Sequence, residues 1–599
     1  MLKILTLSAL GAATLLAQAP HGEALFKARC GSCHQETPEG RIPSRGDLAG
    51  RTPETVMSAL FGGIMSVQAA GMAPADGRAI ARFLTGKDPA MAAVDPNAGL
   101  CTSKLPALAT STADWNGAGG DMENTRYQPK PGLAAADVPK LKLKWAFGFP
   151  GDRVASGQPT VVGGRVFVGS AAGTVYSLDV KTGCTVWSYK AEGTVRSSIS
   201  VARAQPGGPL VAYFGDIRSF AHAVDAETGK PLWKVKVEDH AGSRVTGAPI
   251  FHNGRLYVPV SSIEEALAQS PKYECCTFRG SLVALDGSTG KQIWKSYTVP
   301  DPAIARKLSK VGTQLRGPAG AAIWSAPTID AKRNLIYVAT GDSYTDAEIS
   351  TSDAVVAFDM TTGKIAWSSQ VTEKDNFVMG CPNNPNCPES DGPDYDFGTS
   401  PILRNIGGGK QLLVVAQKSG ILWAMDPDQK GKVVWQNKLG TGGMLGGIEW
   451  GHAADEKNAY VAVSDRIVKG TPQPGLSAVN LADGKTVWST PSPKVTCATQ
   501  SCQQAQSAPV AVIPGAVFSG TVNGHFRAYS TATGAILWDY DTARTFTTIN
   551  KVEASGGSID AAGPVVANGI VLTNSGFAQW GGIPGNVLLA FSVDGKQDQ

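Results

Sequence analysis

One pattern recurs along most of this chain and limits what it can fold into. It reads as an apolar strand, a polar turn ending in Gly, and a second strand carrying Trp. LDVKTGCTVW at Trp187 and VDAETGKPLW at Trp233 are two copies, and others end at Trp294, Trp367, Trp435, Trp488 and Trp538. The interval varies from 46 residues (Trp187 to Trp233) to 73 (Trp294 to Trp367), so insertions fall between copies of a fixed core. Self-similarity at this period signals a solenoid, an array or a propeller. The Gly of the turn supplies the positive φ that a tight hairpin needs.

The two ends of the pattern favour a closed propeller. LLAFSVDG (588–595) has the first strand and turn but no Trp strand after it, whereas LKLKWAFGF (141–149) has a Trp strand, at Trp145, with no partner before it. Together they complete an eighth unit. The expected fold is an all-β eight-bladed propeller of four-stranded blades, closed by pairing the two ends, with a small all-α domain before it. Closure removes exposed sheet edges, and an open solenoid has no need of complementary ends. The repeat Trp residues are expected to fill space between blades.

Ahead of the repeat stands Cys30-Gly31-Ser32-Cys33-His34, the attachment pattern for one covalent haem c. Cys30 and Cys33 are the expected thioether positions and His34 the axial ligand. A thiol redox pair or half a zinc site uses the same spacing, but no second C-x-x-C follows in this small segment. Met72, before Pro74 and a helix-like run at 75–85, is the expected sixth ligand, because a thioether is a weak-field iron ligand. Met65 is the second choice. A helix around Leu25–Ala28 is expected to lead into the haem motif.

Lys3 followed by an apolar run from Ile4 to Leu16 and Ala17-Gln18-Ala19 resembles a secretory leader. The run is short for a membrane span, so the mature protein is expected to be exported, periplasmic or secreted, without a transmembrane segment. Lys plus Arg number 54 against 50 acids, and that small excess indicates no nucleic-acid partner. Of ten Cys, two go to haem. Cys381 with Cys387 and Cys497 with Cys502 bracket short loops and read as local disulfides of an oxidising compartment. Cys101 and Cys184 are left to pair or stay free, and Cys275 and Cys276 are adjacent. The expected divisions are a leader at 1–19, a cytochrome c domain at 22–88, an Ala/Pro-rich linker at 89–110 and the propeller at 111–599.

Asp114-Trp115-Asn116-Gly117 through Asn124-Thr125-Arg126-Tyr127, then Leu141 to Trp145, resembles the opening of the quinoprotein alcohol dehydrogenases, over roughly 112–595. With the haem motif and CCTFRG at 275–280, the chain is most similar to the cytochrome-type polyvinyl alcohol dehydrogenases. The resemblance implies pyrroloquinoline quinone (PQQ) and Ca2+ as cofactors beside haem c. It implies that Trp324 stacks under the quinone and that Asp342 and Glu265 (or Glu264) ligate calcium. Asp394, or else Asp396, is the catalytic base near the metal, since Pro393 replaces the Trp of the family's W-D-Y segment. Thr246 and Ser262 match side chains that hydrogen-bond the cofactor, and Lys418 matches the group contacting the quinone oxygens. Arg196 is a candidate for a cofactor carboxylate. Cys275 and Cys276 are expected as a vicinal disulfide near the pocket, with two free thiols as the alternative.

The implied reaction oxidises an alcohol, polymeric or small, and passes electrons through the chain's own haem to a soluble cytochrome c or other respiratory acceptor. Secondary alcohols, with polyvinyl alcohol foremost, are the expected substrates. Two other readings are a quinohaemoprotein dehydrogenase of small alcohols and a non-catalytic propeller scaffold fused to a cytochrome. Fold alone does not choose among them.

Overall fold

The repeat builds blades because its Gly and Trp meet across blade boundaries. In the computed structural model, Gly229 sits at φ +72° and a Cβ there would lie 2.6 Å from the Trp187 ring. The same Gly-on-Trp contact recurs from Gly183 on Trp145 through Gly534 on Trp488. The indoles also staple blade to blade. Trp145 Nε1 donates to Val180 O at 3.1 Å, Trp187 Nε1 to Ala226 O at 3.0 Å, and Trp538 Nε1 closes back onto Leu141 O at 3.1 Å. The repeat thus encodes contact with the next blade as well as a hairpin.

The structure describes residues 21–31, 33–36, 43–62, 65, 68–69, 72, 74–89, 97–495 and 503–596. The expected leader and the Cys497–Cys502 pair lie outside them. The chain divides into two compact units, Met1–Ala90 and Met91–Gln599.

The second unit holds eight four-stranded antiparallel sheets, one of which carries an extra short strand at Ser243–Arg244. Seven sheets use consecutive strands, starting with blade 1 at Thr160–Val162, Arg165–Gly169, Thr174–Asp179 and Thr185–Lys190. Blades 2 to 7 begin at Ser200, Ile250, Thr328, Ile402, His452 and Ala511. Blade 8 takes three strands from the C-terminal end and its outermost from Lys142–Gly148, which pairs with Val587–Ser592. The ends close the ring as their sequences imply.

A lead-in segment crosses the hub. Trp115 exchanges two 2.8 Å backbone hydrogen bonds with Val161 of blade 1, and Asn116 Nδ2 donates to Val201 O of blade 2. Backbone oxygens of Met122, Glu123, Thr125 and Arg126 then accept from Ile329, Leu403, Ala454 and Val512 of blades 4, 5, 6 and 7. One short stretch therefore ties the first strands of most blades together.

Much of the expected linker is also docked. The Cys101–Cys184 disulfide, the Leu100–Thr185 bridge and the buried Leu108 hold 97–110 against blades 1 and 2.

The first unit is helical: His21–Arg29, Arg45–Ala49, Pro53–Gly62 and Pro74–Thr85. The first and last match the two expected helices. The shorter one between them starts at a capping box of Ser44 with Asp47. Phe26, Val56, Leu60, Met72, Ile80 and Leu84 form the core. Among the described residues no helix is long and apolar enough to cross a membrane.

Candidate active site

Insertions in blades 3, 4 and 5 bring together residues far apart in sequence. Asp342 follows the strand Leu335–Ala339, and Asp394 and Asp396 lie in the long loop between Ile365–Gln370 and Ile402–Gly407. Lys418 sits in the turn before Ile421–Asp426, and Glu265 in the short helix Glu264–Leu267. Lys418 Nζ donates to Asp394 Oδ1 at 2.8 Å and to Asp396 Oδ2 at 2.7 Å. Asp396 Oδ1 accepts from the Asp342 N–H at 2.8 Å. Carboxylate oxygens of Asp342, Asp394 and Asp396 all lie within 4.8 Å of one another.

Gly341 permits this packing. A Cβ there would fall 2.3 Å from Asp396 Oδ1 and 2.7 Å from Trp324 Nε1, so only a bare backbone lets the carboxylate and the indole close in together.

The cluster is short of positive charge. Burial, then the charges of Asp396 and Glu265, push the Asp342 carboxyl well above the usual carboxylate range. Burial likewise raises Glu265, to about 7, with Asp396 adding and Lys418 opposing. Burial raises Asp394 too, beyond what Lys418 offsets. Burial alone would raise Asp396, but the Lys418 charge and hydrogen bonds from Lys418 and the Asp342 N–H hold it below its ordinary value. Asp342 is 0% exposed and neither of its carboxylate oxygens has a hydrogen-bond partner. An unpaired buried carboxylate is costly unless it is protonated or meets a cation. Three oxygen-donor side chains at this spacing suit a hard divalent ion such as calcium.

The neighbouring residues sort clearly. Glu264 does not face the cluster: its carboxylate accepts from Tyr273 Oη at 2.9 Å, from Thr277 N at 2.9 Å and from Phe278 N at 2.8 Å. It orders the loop carrying the Cys275–Cys276 disulfide. Glu265, by contrast, feels the charges of Asp396 and Lys418. Ser262 Oγ accepts from the Glu264 N–H at 2.8 Å, just ahead of the short helix. Thr246 Oγ1 lies 2.7 Å from Ser261 Oγ and donates to Trp324 O at 3.2 Å. Trp324 packs against the hydrophobic cluster containing Cys275 and Cys276, and its buried Nε1 has no partner.

Arg196 stands apart from the acids. It lines a cavity of about 90 Å³ with Thr246 and Trp324, its guanidinium carbon 4.9 Å from the Trp450 ring centroid. Every blade contributes to that cavity, from Gln158 of blade 1 to Ala561 of blade 8, so it lies on the propeller axis.

Comparison with known proteins decides the family. Residues 115–438, more than half of the chain, match the model described as glucose/ethanol/alcohol dehydrogenase, beta-propeller domain, whose short name is PQQ. A polyvinylalcohol dehydrogenase of Pseudomonas sp is 44% identical over 99% of this chain and 97% of its own length. The chain belongs to the PQQ-dependent alcohol dehydrogenase family. A second polyvinylalcohol dehydrogenase, from Sphingopyxis sp. (strain 113P3), is 42% identical over 96% of this chain and 93% of its own. The crystal structure of quinohemoprotein alcohol dehydrogenase from Comamonas testosteroni superposes with TM-score 0.61 at 20% identity, covering 81% of each chain, and supports the fold. Residues 475–598 match a model described as outer membrane protein assembly factor BamB, a likeness of repeats. The activity that goes with the family is PQQ-dependent alcohol oxidation.

Sequence reasoning missed several residues around this candidate site. Trp450 lies outside the Gly-to-Trp repeat, as Trp324 does, and the same signal marks it. Glu449, pushed to about 8 chiefly by burial, faces Lys418 and Asp560. Asp353 is buried with both oxygens unpartnered, and Tyr344 with its hydroxyl unpartnered. Single loop acids and a lone Tyr carry no sequence signature.

Proposed function

We propose that this PQQ-dependent dehydrogenase oxidises secondary alcohols, polyvinyl alcohol among them, outside the cytoplasm, and passes electrons through its own haem c to an external acceptor. The observation that carries the reading is the pair of orphaned Asp342 oxygens beside Asp394, Asp396 and Lys418. The two relatives at 44% and 42% identity supply the substrate class.

Asp342, Asp394 and Glu265 would hold calcium, and Trp324, Thr246 and Arg196 would hold the quinone. When bound, the quinone supplies a two-electron acceptor and calcium supplies Lewis acidity. Asp394 takes the alcohol O–H proton as general base. It suits that role because Lys418 holds it through one oxygen, whereas both oxygens of Asp396 are engaged. A cation beside Asp394 lowers its raised pKa and readies the carboxylate. Lys418 has three ammonium protons. Two go to the aspartates, and the third would be available to a quinone oxygen. Trp324 and the Cys275–Cys276 loop keep water from the reacting carbon.

The first unit fits a covalent haem. His34 Nδ1 lies 2.8 Å from Pro43 O, which fixes the ring and leaves Nε2 as the nitrogen that would ligate a haem iron. Cys30 and Cys33 are not joined in a disulfide, and Met72 and Met65 belong to the apolar cluster around Cys30. The Cys101–Cys184 and Cys381–Cys387 disulfides accord with an oxidising, periplasmic setting.

Stopped-flow haem reduction in the holoenzyme tests the reading. Polyvinyl alcohol and 2,4-pentanediol are expected to reduce the haem rapidly, and methanol slowly. Fast reduction by methanol with none by the polymer would leave the family standing and remove the polymer claim.

A further inference from the structure

Two insertions meet beside the acid cluster, and the repeat accounts for neither. One is the hairpin of Ile304–Leu308 and Gln314–Gly317. The other is the loop closed by the Cys381–Cys387 disulfide. Between them runs a groove of about 660 Å³, within the range of small-molecule sites. Ile304, Leu315, Cys275, Tyr344 and Asn386 are among its lining residues.

Both walls are fixed to the segment carrying the vicinal Cys pair. The Arg316 N–H donates to Cys275 O at 2.6 Å and the Cys276 N–H to Arg316 O at 3.3 Å, so the hairpin's return strand is zipped onto that pair. Asn386 Nδ2 donates to Ala268 O at 3.0 Å and Ser270 O at 2.9 Å, which anchors the other wall just upstream. Lys307 Nζ joins the walls, reaching Asp346 at 3.0 Å and Glu389 at 2.6 Å.

The inner end is lined by Cys275 and Tyr344. Tyr344, two residues beyond Asp342, is buried with its hydroxyl unpartnered. Its ring packs in one apolar cluster with Cys275 and Cys276, against which Trp324 also lies. The outer end is apolar. Ile304, Leu308 and Val311 are 62%, 63% and 61% exposed on one hairpin, a concentration of bare aliphatic surface in a molecule that buries most of its large apolar residues. Charge at the groove is largely matched, Lys307 by Asp346 and Glu389 and Arg316 by Glu274, so little attracts an ion. Apolar contact outside, hydroxyl-accepting groups inside and little net charge fit a neutral carbon chain bearing hydroxyls.

We propose that this groove seats successive repeats of a polyvinyl alcohol chain and leads one carbinol past Cys275 and Tyr344 to the acid cluster. The inference rests on the polymer reading of the active site.

The test uses holoenzyme carrying Ile304→Asp, and separately Ala305→Cys, an exposed position on the groove wall. For Ile304→Asp, kcat/KM on polyvinyl alcohol should fall about tenfold or more, while kcat/KM on 2,4-pentanediol stays within about twofold. Polyvinyl alcohol, but not the diol, should slow maleimide labelling of Cys introduced at 305, followed by mass spectrometry without turnover. Unchanged polymer kinetics with no protection would overturn the groove. So would an equal fall on both substrates, which would mean that the hairpin merely shapes the site. If the wild type oxidises the diol but never the polymer, the substrate reading fails. Thiol protection then still decides whether the groove binds the chain.

Discussion

Two buried charges of the propeller, Arg126 and Asp342, are treated oppositely. Arg126, in the lead-in segment, donates to the carbonyls of Val510, Ala118 and Pro564 and to Gln158 Oε1, with the Trp115 ring 5.4 Å away. None of these partners is charged. Burial pulls its pKa to about 9, still protonated at neutral pH, and the guanidinium makes four hydrogen bonds to these neutral groups. In the acid cluster of blades 3 to 5 the single Lys418 faces Asp394 and Asp396, and Asp342 is left with two unpartnered oxygens. A buried charge surrounded by neutral dipoles completes a structure. A buried charge left without partners marks a place where something else must bind.

The largest effect expected from this contrast is on turnover. Asp394→Asn should cost roughly two to four decades of kcat, as loss of a general base does, while the quinone remains bound by absorption. If Asp396→Asn has the large effect and Asp394→Asn a small one, the roles exchange. Next comes Arg126→Met, which leaves buried carbonyls without donors. It should lower unfolding stability by about 3 kcal/mol, with activity per folded molecule kept. A large activity loss at unchanged stability would make Arg126 part of the site and break the contrast.

A smaller effect tests how much charge the hub tolerates. His452 is buried in the same axial cavity, with Nδ1 unpartnered. Its pKa is pulled to about 4, by burial first, with the Arg126 charge also lowering it. The unfolded chain takes up this proton near pH 6.5 and the folded chain only near pH 4. Stability from this group is therefore complete above about pH 6.5 and declines as pH falls toward 4, by roughly 3 kcal/mol at most. Urea unfolding at pH 7 and pH 4.5 should show a smaller pH loss in His452→Gln than in the wild type. Equal losses would mean that the hub accepts a second cation.

The blades were legible because their information is local: each Gly meets a Trp one repeat away, and the unmatched ends at Trp145 and Leu588 foretell closure. The hub was not, because residues 115–131 dock on many blades at separations that no periodicity reveals. Within the site, resemblance could point to Glu264 or Glu265 but not choose, since adjacent acids differ only in where the chain turns them. The N–H groups of Thr277 and Phe278 turn Glu264 toward the Cys275–Cys276 loop, a direction that no sequence pattern reveals. Trp450 was legible in principle, while Tyr344 and Asp353 acquire meaning only through burial.

The most direct test of the central claim, that the unpaired acids of blades 3 to 5 hold a calcium ion, is the metal content of purified holoenzyme, wild type beside Asp342→Asn. The account predicts about one calcium per wild-type chain and under roughly a tenth of that in the variant, with both propellers folded by circular dichroism. A variant that keeps its calcium, or a wild type that oxidises alcohol at full rate without any, would contradict it.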